Sequence, residues 1–99
     1  MNNKLRVGIV DDHRIVLDGL ASLLQGQEKI ELVFATQNPL EALDLLKHTA
    51  VDILITDIMM PEMSGLELSR QVKNDFPEIK ILALSMSGEW DIVTRLLMK

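Results

Sequence analysis

The 99-residue chain is long enough for one domain with a modest core, and 47% hydrophobic and 25% charged residues make an ordinary globular composition. A net charge of −5 argues against a nucleic-acid-binding surface on this chain, and the lack of cysteine excludes disulfide and thiolate chemistry. The amino terminus lacks the apolar core of a signal peptide, and no apolar run approaches the ~18 residues that span a bilayer, so we expect a cytoplasmic protein without membrane contact.

Strand and helix patterns alternate along the chain. Strands are predicted where short apolar runs lie between polar or turn residues, and helices where apolar residues recur every three or four positions. In chain order the predicted elements are a strand at 5–10, a helix at 13–26, a strand at 30–36, a helix at 38–48, a strand at 51–56, a helix at 64–77, a strand at 79–85 and a helix at 88–99. This alternation predicts an α/β domain whose strands form a parallel sheet through right-handed crossovers.

The second and third helices begin with residues typical of helix starts. Asn38 can cap the second helix, Pro39 suits its first position, and Glu41 can reach back to the cap. Ser64 and Glu67 have the spacing of a capping box at the start of the third helix. These signals support the predicted boundaries.

Candidate functional residues lie at the ends of the predicted strands, because ligands of such sheets bind outside the carboxyl ends of the strands. Asp11 and Asp12 follow the first strand, Asp57 follows the third, and Ser85 ends the fourth. Thr36, at the end of the second strand, is unremarkable. We therefore expect three carboxylates and a hydroxyl at one edge of the sheet.

A cluster of three carboxylates calls for a cation. Two like charges about 4 Å apart repel by about 1 kcal/mol in water and about 4 kcal/mol at an effective dielectric constant of about 20. Ligands that are all oxygen suit a hard cation, and Mg²⁺ typically takes one or two carboxylates together with waters and phosphate oxygens. A carboxylate can also be the nucleophile in phosphoryl transfer. The pattern therefore favours a Mg²⁺-dependent phosphoryl site.

Simpler interpretations exist for each residue taken alone. Asp11 and Asp12 could open a helix, and Asp57 could be an ordinary loop carboxylate. Their coincidence at neighbouring strand ends favours a site. His13 is interpreted as a partly exposed residue of the first helical turn rather than a metal ligand or acid–base group. The methionines of the loop after the third strand are interpreted as packing residues: Met59, Met60 and Met63.

Two stretches closely resemble the receiver domain of bacterial two-component response regulators: VGIVDDHRIVLDGL and DILITDIMMPEMSGLEL. The shared motifs are a double aspartate after the first strand, a D-x-x-M-P-x-M-x-G loop after the third, and a serine or threonine ending the fourth. The resemblance covers the whole chain. The DDH start is most similar to NarL/FixJ-type regulators, which carry a helix-turn-helix DNA-binding output domain.

The resemblance implies a role for each matching residue. Asp57 corresponds to the phospho-acceptor, which receives its phosphoryl group from a phosphohistidine of a sensor histidine kinase. Asp12 and Asp57 correspond to direct Mg²⁺ ligands, with the backbone carbonyl of Met59 as a third, and Asp11 to the acid that holds a Mg²⁺-bound water. The receiver itself catalyses this transfer, so the resemblance implies no turnover enzyme.

Three further residues match the geometry of the family. Ser85 corresponds to the switch hydroxyl that moves toward the phosphoryl group. Pro61 and Gly65 correspond to residues that fix the turns of the loop after Asp57. Rigid positioning of this loop would keep the acceptor carboxylate aimed at the metal and the phosphoryl group.

The resemblance also implies a doubly wound, flavodoxin-like sheet of five strands. The predicted elements here stop with the helix at 88–99, so we expect residues 1–99 to form an incomplete receiver domain without the fifth strand and helix. Lys99 follows a helical pattern and does not match the lysine that ends the family's fifth strand. We expect this chain to self-associate, and the DNA-binding output domain to lie outside it.

Two other functions remain open from the sequence. A receiver-like interaction module that is not phosphorylated is favoured for this chain by the missing lysine and disfavoured by the complete set of acids. A hydrolase with Asp57 as nucleophile is disfavoured, because phosphatases of the haloacid dehalogenase type place that residue in a D-x-D pattern after the first strand. Here Asp57 follows the third strand and precedes Ile58 and Met59.

Overall fold

The computed structural model describes residues 4–58 and 63–84, which form a four-stranded sheet and three helices. Their order is β1 (Leu5–Val10), α1 (Arg14–Gln25), β2 (Ile30–Thr36), α2 (Pro39–His48), β3 (Ile53–Asp57), α3 (Gly65–Asp75) and β4 (Lys80–Leu84). The predicted alternation is confirmed for these seven elements. β3 begins two residues later than predicted and includes Asp57. The predicted helix at 88–99 lies outside the described residues.

The strands lie side by side in the order β2-β1-β3-β4, and all three pairings are parallel. The chain passes from β1 outward to β2 and then returns across β1 to β3, which is the strand order of flavodoxin-like sheets. β1 and β3 are therefore the central neighbours, with Val10 opposite Thr56. The predicted doubly wound parallel fold is confirmed.

Separate hydrophobic clusters cover the two faces of the sheet. On one face, the strands pack against α2 and α3 through Val10, Leu54, Leu43, Leu46, Leu68 and Val72. On the other face, they pack against α1 through Val7, Ile9, Ile55 and Leu17. Leu54 and Ile55 belong to different clusters because successive side chains of a strand point to opposite faces. Among the described helices, none combines the length and the apolar character that a membrane crossing requires.

The start of α2 confirms part of the predicted capping. The side chain of Asn38 accepts a hydrogen bond from the backbone N–H of Leu40 at 2.8 Å, and Pro39 occupies the first helical turn. The expectation that Glu41 reaches back to the cap is wrong. Its carboxylate accepts a 2.6 Å hydrogen bond from the hydroxyl of Thr36, and the N–H of Asn38 donates to the same hydroxyl oxygen at 3.2 Å. The hydroxyl of Thr36 thus binds both the Glu41 carboxylate and the Asn38 N–H, which the prediction had joined to each other.

Candidate functional site

The register of the two central strands brings the predicted acids together. Val10 and Thr56 lie opposite each other in the sheet, so Asp11 and Asp57, each one residue further along, meet at the same edge. Both are 3% exposed, whereas Asp12, the next residue of the loop, is partly exposed. Burial of two strand-end carboxylates at a shared edge is costly without a compensating partner.

One potential ligand atom from each of Asp11, Asp12, His13 and Asp57 lies within 4.8 Å of all the others. The Oδ1 atom of Asp12 is buried and accepts no hydrogen bond from any residue in the described part of the chain. The structure therefore brings together three of the predicted site residues and adds a fourth residue, the histidine. Oxygen atoms dominate this donor set.

His13 contacts all three carboxylates, which its position in the sequence did not predict. Its Nδ1 atom lies 3.2 Å from Asp11 Oδ1, 3.2 Å from Asp12 Oδ1 and 3.3 Å from Asp57 Oδ2. A hydrogen bond to Asp11 raises the pKa of His13 above its usual value, and the charge of Asp12 raises that pKa further. A basic residue therefore lies beside the three acids.

The backbone around Asp11 and Asp12 explains how the loop is held. The N–H of His13 donates to Asp11 Oδ1 at 2.8 Å, and the N–H of Asp11 donates to the carbonyl of Thr36 at 3.1 Å. α1 begins at Arg14, and no acid lies in its first turn. The interpretation of Asp11 and Asp12 as residues that open a helix is thus wrong, and His13 is the N-cap residue rather than a first-turn residue.

A second loop supports the first. The side-chain amide of Gln37 donates to the backbone carbonyl of Asp12 at 3.1 Å. Thr36, which the sequence left unremarkable, is 6% exposed and connects the end of β2 to Glu41. The sequence signal for this corner is a threonine at a strand end followed by a polar helix start. The loop that carries Asp12 therefore rests on the start of α2.

Gly65 lies directly against the backbone of the proposed acceptor. Its N–H donates to the carbonyl of Ile58 at 2.7 Å. A Cβ atom on residue 65 would collide with the carbonyl oxygen of Asp57 and would approach Ile58 Cα to 2.7 Å. The hydroxyl of Ser69 donates to the carbonyl of Gly65 at 2.6 Å. Only a residue without a side chain fits here, where the start of α3 abuts the end of β3.

The remaining predicted site residues lie outside the described residues: Met59, Pro61 and Ser85. Met60, interpreted as a packing residue, also lies outside them. Met63 is described, is partly buried and packs against the core cluster beneath α2 and α3. Its position agrees with its interpretation as a packing residue.

Comparison with known proteins gives a consistent family. The sequence model of the response regulator receiver domain family matches residues 7–99 of this chain. The transcriptional regulatory protein DegU of Brevibacillus brevis is 30% identical over 95 residues, which cover 96% of this chain and 40% of that protein. The response regulator VraR of Staphylococcus aureus is 36% identical over 81 residues, covering 82% of this chain and 39% of that protein. The chain spans about two fifths of the length of these two relatives.

Solved structures agree with this result. The isolated receiver domain of RcsB from Salmonella enterica serovar Typhimurium superposes with a TM-score of 0.84 at 30% identity, covering 97% of this chain and 72% of that one. The receiver domain of a putative response regulator NarL from Mycobacterium tuberculosis gives a TM-score of 0.84 at 27% identity, covering 97% and 77%. With the strand order and the clustered aspartates, these matches show that the chain belongs to the response regulator receiver domain family, and that its relatives are transcriptional regulators of the NarL/FixJ type.

Proposed function

We propose that this receiver accepts a phosphoryl group on Asp57 from a phosphohistidine of a sensor histidine kinase. The observation that carries the proposal is the position of Asp57. It ends a central strand, is 3% exposed, and lies with Asp11 and Asp12 in a group of ligand atoms within 4.8 Å of one another. Such a carboxylate is held still, largely shielded from water and close to a place where a cation can bind.

The donor set fits Mg²⁺. Carboxylate oxygens are the ligands this ion prefers, and the buried Asp12 Oδ1 accepts no hydrogen bond within the described ranges. In the proposal, Asp12, Asp57 and the backbone carbonyl of Met59 would hold the ion directly, and Asp11 would hold it through water. When bound, Mg²⁺ supplies positive charge that offsets the carboxylates and the phosphoryl oxygens.

The chain's own residues then position the reaction. A carboxylate oxygen of Asp57 attacks phosphorus, the bond between phosphorus and the histidine nitrogen breaks, and that nitrogen keeps the electron pair. β3 fixes the direction of attack, and the close contact with Gly65 prevents the Asp57 backbone from shifting. In the proposal Pro61 also shapes the loop and Ser85 moves toward the new phosphoryl group. The receiver catalyses one transfer to itself and does not turn over.

The consequence we propose is control of a DNA-binding output domain outside residues 1–99, in transcription regulation. The support is that the relative DegU is named as a transcriptional regulatory protein, and that DegU and VraR are both more than twice as long as this chain. The protein would act in the cytoplasm, and this receiver chain would itself contact neither nucleic acid nor membrane. The partners that matter to it are then a kinase and its own output domain.

Phosphorylation is tested by intact mass after incubation with acetyl phosphate and Mg²⁺, on the 99-residue chain and on a longer protein that joins this chain to the proposed output domain. We expect a mass increase of one phosphoryl group in the longer protein and a slower, partial increase in the 99-residue chain. Asp57→Asn is the matched control and should show no increase. An increase retained in Asp57→Asn contradicts the site. No increase in either protein contradicts the proposal and favours an unphosphorylated interaction module.

We also propose that the 99-residue chain self-associates through β4. Among the described strands, β4 pairs only with β3, and its Leu82 is 37% exposed. A strand edge with unpaired backbone groups beside an exposed apolar side chain invites a second chain. Sedimentation at micromolar concentration should show association that Leu82→Lys weakens. Leu40→Lys, at an exposed leucine of α2, is the control and should change nothing. A monomeric wild-type chain contradicts the proposal.

A further inference from the structure

Asp12 is held by fewer contacts than its neighbour Asp11. The N–H of Asp11 donates to the Thr36 carbonyl at 3.1 Å, and its Oδ1 accepts the His13 N–H at 2.8 Å. The carboxylate of Asp12 has an ion-pair contact with the His13 ring, but that side chain is 54% exposed. Within the described part of the chain, one hydrogen bond reaches Asp12, from the side-chain amide of Gln37 to its backbone carbonyl at 3.1 Å. The position of Asp12 therefore depends on Gln37.

The corner between β2 and α2 fixes the backbone on both sides of Gln37. The hydroxyl of the buried Thr36 donates to Glu41 at 2.6 Å and accepts the N–H of Asn38 at 3.2 Å. Asn38 is also the N-cap residue of α2, so it is tied to the start of that helix. Gln37 thus projects from between two residues whose positions are set, and this directs its amide toward the loop of Asp12.

We propose that Gln37 is a positioning residue for phosphoryl transfer to Asp57, and that the Thr36 hydroxyl orients it. The Gln37 amide holds the backbone of Asp12, and through it the spacing of the clustered carboxylates. Displacing a group at a reacting centre by about 1 Å can slow a reaction by about a hundredfold. Gln37 is itself exposed, so it acts on the site without being part of the core. The inference rests on the proposed function and deepens it, because it concerns how fast the same site reacts.

The test compares phosphoryl uptake from acetyl phosphate by the wild-type 99-residue chain and by Gln37→Met, followed by intact mass at saturating Mg²⁺. Methionine keeps the length of the side chain and donates no hydrogen bond. We expect the maximal rate constant to fall by about threefold to tenfold, the effect of one lost hydrogen bond, while the final extent stays that of the wild type. The acetyl phosphate concentration that gives half of the maximal rate should change little.

Two comparisons separate positioning from a loss of stability. A variant that is only less stable would contain less folded protein, so its final extent would fall rather than its rate constant. Gln71→Met makes the same substitution at an exposed glutamine of α3 and should react at the wild-type rate.

A double-mutant cycle tests the link between Thr36 and Gln37. Thr36→Val keeps the shape of the side chain and removes its hydroxyl, so we expect uptake to slow by about twofold to threefold. Thr36→Ser keeps the hydroxyl and should restore the wild-type rate. If the hydroxyl acts by orienting Gln37, adding Thr36→Val to Gln37→Met should slow uptake no further. Effects that multiply in the double variant would overturn the orienting role of Thr36.

A second measurement does not depend on phosphorylation. The peptide group whose carbonyl accepts from Gln37 carries the His13 N–H, so amide hydrogen exchange at His13, followed by NMR, reports how firmly the loop is held. We expect exchange to be about threefold to tenfold faster in Gln37→Met and unchanged in Gln71→Met.

The possible results separate the inference from the proposed function. Equal rates of uptake in the wild type and Gln37→Met overturn the inference and leave the proposed function standing. A wild-type chain that takes up no phosphoryl group contradicts the proposed function, and exchange at His13 then decides the inference. Faster exchange in Gln37→Met supports the hold of Gln37 on the loop, and equal exchange overturns it.

Discussion

The aspartates at the two edges of the sheet have opposite surroundings. At the amino edge, just before β3, Asp52 is bound by Arg6. The guanidinium of Arg6 donates through Nε to Asp52 Oδ2 at 3.2 Å and through Nη2 to Asp52 Oδ1 at 3.1 Å. The backbone N–H of Arg6 also donates to Asp52 Oδ2, at 2.8 Å. At the carboxyl edge, Asp11, Asp12 and Asp57 converge, and the ion-pair contact common to all three is His13.

The difference separates an acid that has its own charged partner from three acids that share one histidine. The guanidinium of Arg6, on the neighbouring strand, balances the charge of Asp52. Two backbone hydrogen bonds fix the strand ends there: the Asp52 N–H donates to the Arg6 carbonyl, and the Lys80 N–H donates to the Asp52 carbonyl. Among the described residues, the carboxyl edge places three carboxylates beside one histidine. An excess of charge in a buried cluster is a cost to folding that an ion from solution can relieve. This contrast can be tested edge by edge.

The largest expected effect comes from breaking the carboxyl edge at its backbone. Gly65→Ala places a Cβ against the Asp57 carbonyl, where backbone rather than a flexible side chain must give way. We expect a loss of about 3 kcal/mol or more in the free energy of unfolding, measured with urea. Gly19→Ala is the matched control, because its Cβ would meet nothing within 4 Å. That helix-interior change should stabilise by about 0.5–1 kcal/mol. Equal effects of the two substitutions would contradict the packing described at Gly65.

Much of this fold follows from the sequence by simple physics. Apolar periodicity separates strands from helices, and the crossover rule for parallel strands brings residues 11 and 57 to one edge before any side chain is placed. The helix starts at Asn38 and Ser64 were readable because capping is a local interaction between neighbouring residues. These features depend on backbone geometry that a short stretch of sequence determines.

The features that sequence missed depend on where loop side chains point. His13 follows two aspartates, and its position along the chain does not say whether its ring turns toward the cluster or toward water. Thr36 and Glu41 are five residues apart, and their hydrogen bond depends on the angle between β2 and α2. Tertiary contacts decide these side-chain positions. Local sequence patterns therefore identified the three aspartates but not the contacts of His13 and Thr36.

The next largest effect should come from Mg²⁺, whose positive charge would offset the carboxylates of the carboxyl edge. Ligand binding to the folded state stabilises it by RT ln(1 + [L]/Kd), about 2.7 kcal/mol at a ligand concentration of 100 Kd. We expect Mg²⁺ to raise the free energy of unfolding toward that value, measured by urea denaturation at increasing Mg²⁺. Asp12→Ala should remove most of this gain, because its buried Oδ1 is the oxygen that accepts no hydrogen bond from the described residues. Asp52→Ala should retain the gain. An equal response of all three proteins would contradict a carboxyl-edge site.

A smaller effect, of opposite sign at the two edges, should follow from neutralising single acids without added divalent ions. Asp57→Asn removes one of three neighbouring negative charges, and we expect the free energy of unfolding to rise by about 1 kcal/mol. Asp52→Asn removes the partner of Arg6, and here stability should fall. Urea denaturation of both variants beside the wild type gives the comparison. A loss of stability in both would show that the carboxyl edge carries no uncompensated repulsion.

The smallest effect concerns the pH dependence of the amino edge. Hydrogen bonds from Arg6 lower the pKa of Asp52 below its usual value of 3.8, so the folded state favours the ionised carboxylate. A lowered pKa contributes stability that is fully present above the unfolded value and is lost as the pH falls through the folded value. We expect the stability difference between wild type and Arg6→Met to be constant near neutral pH and to shrink below about pH 4. Because both side chains are substantially exposed, at 45% and 34%, solvent screens the pair and the difference should be slight. Urea denaturation across a pH series measures it, and adding salt at neutral pH should reduce it as well. A difference that grows as the pH falls would mean that Arg6 stabilises the protonated carboxyl, and the amino edge would then not be the paired counterpart of the carboxyl edge.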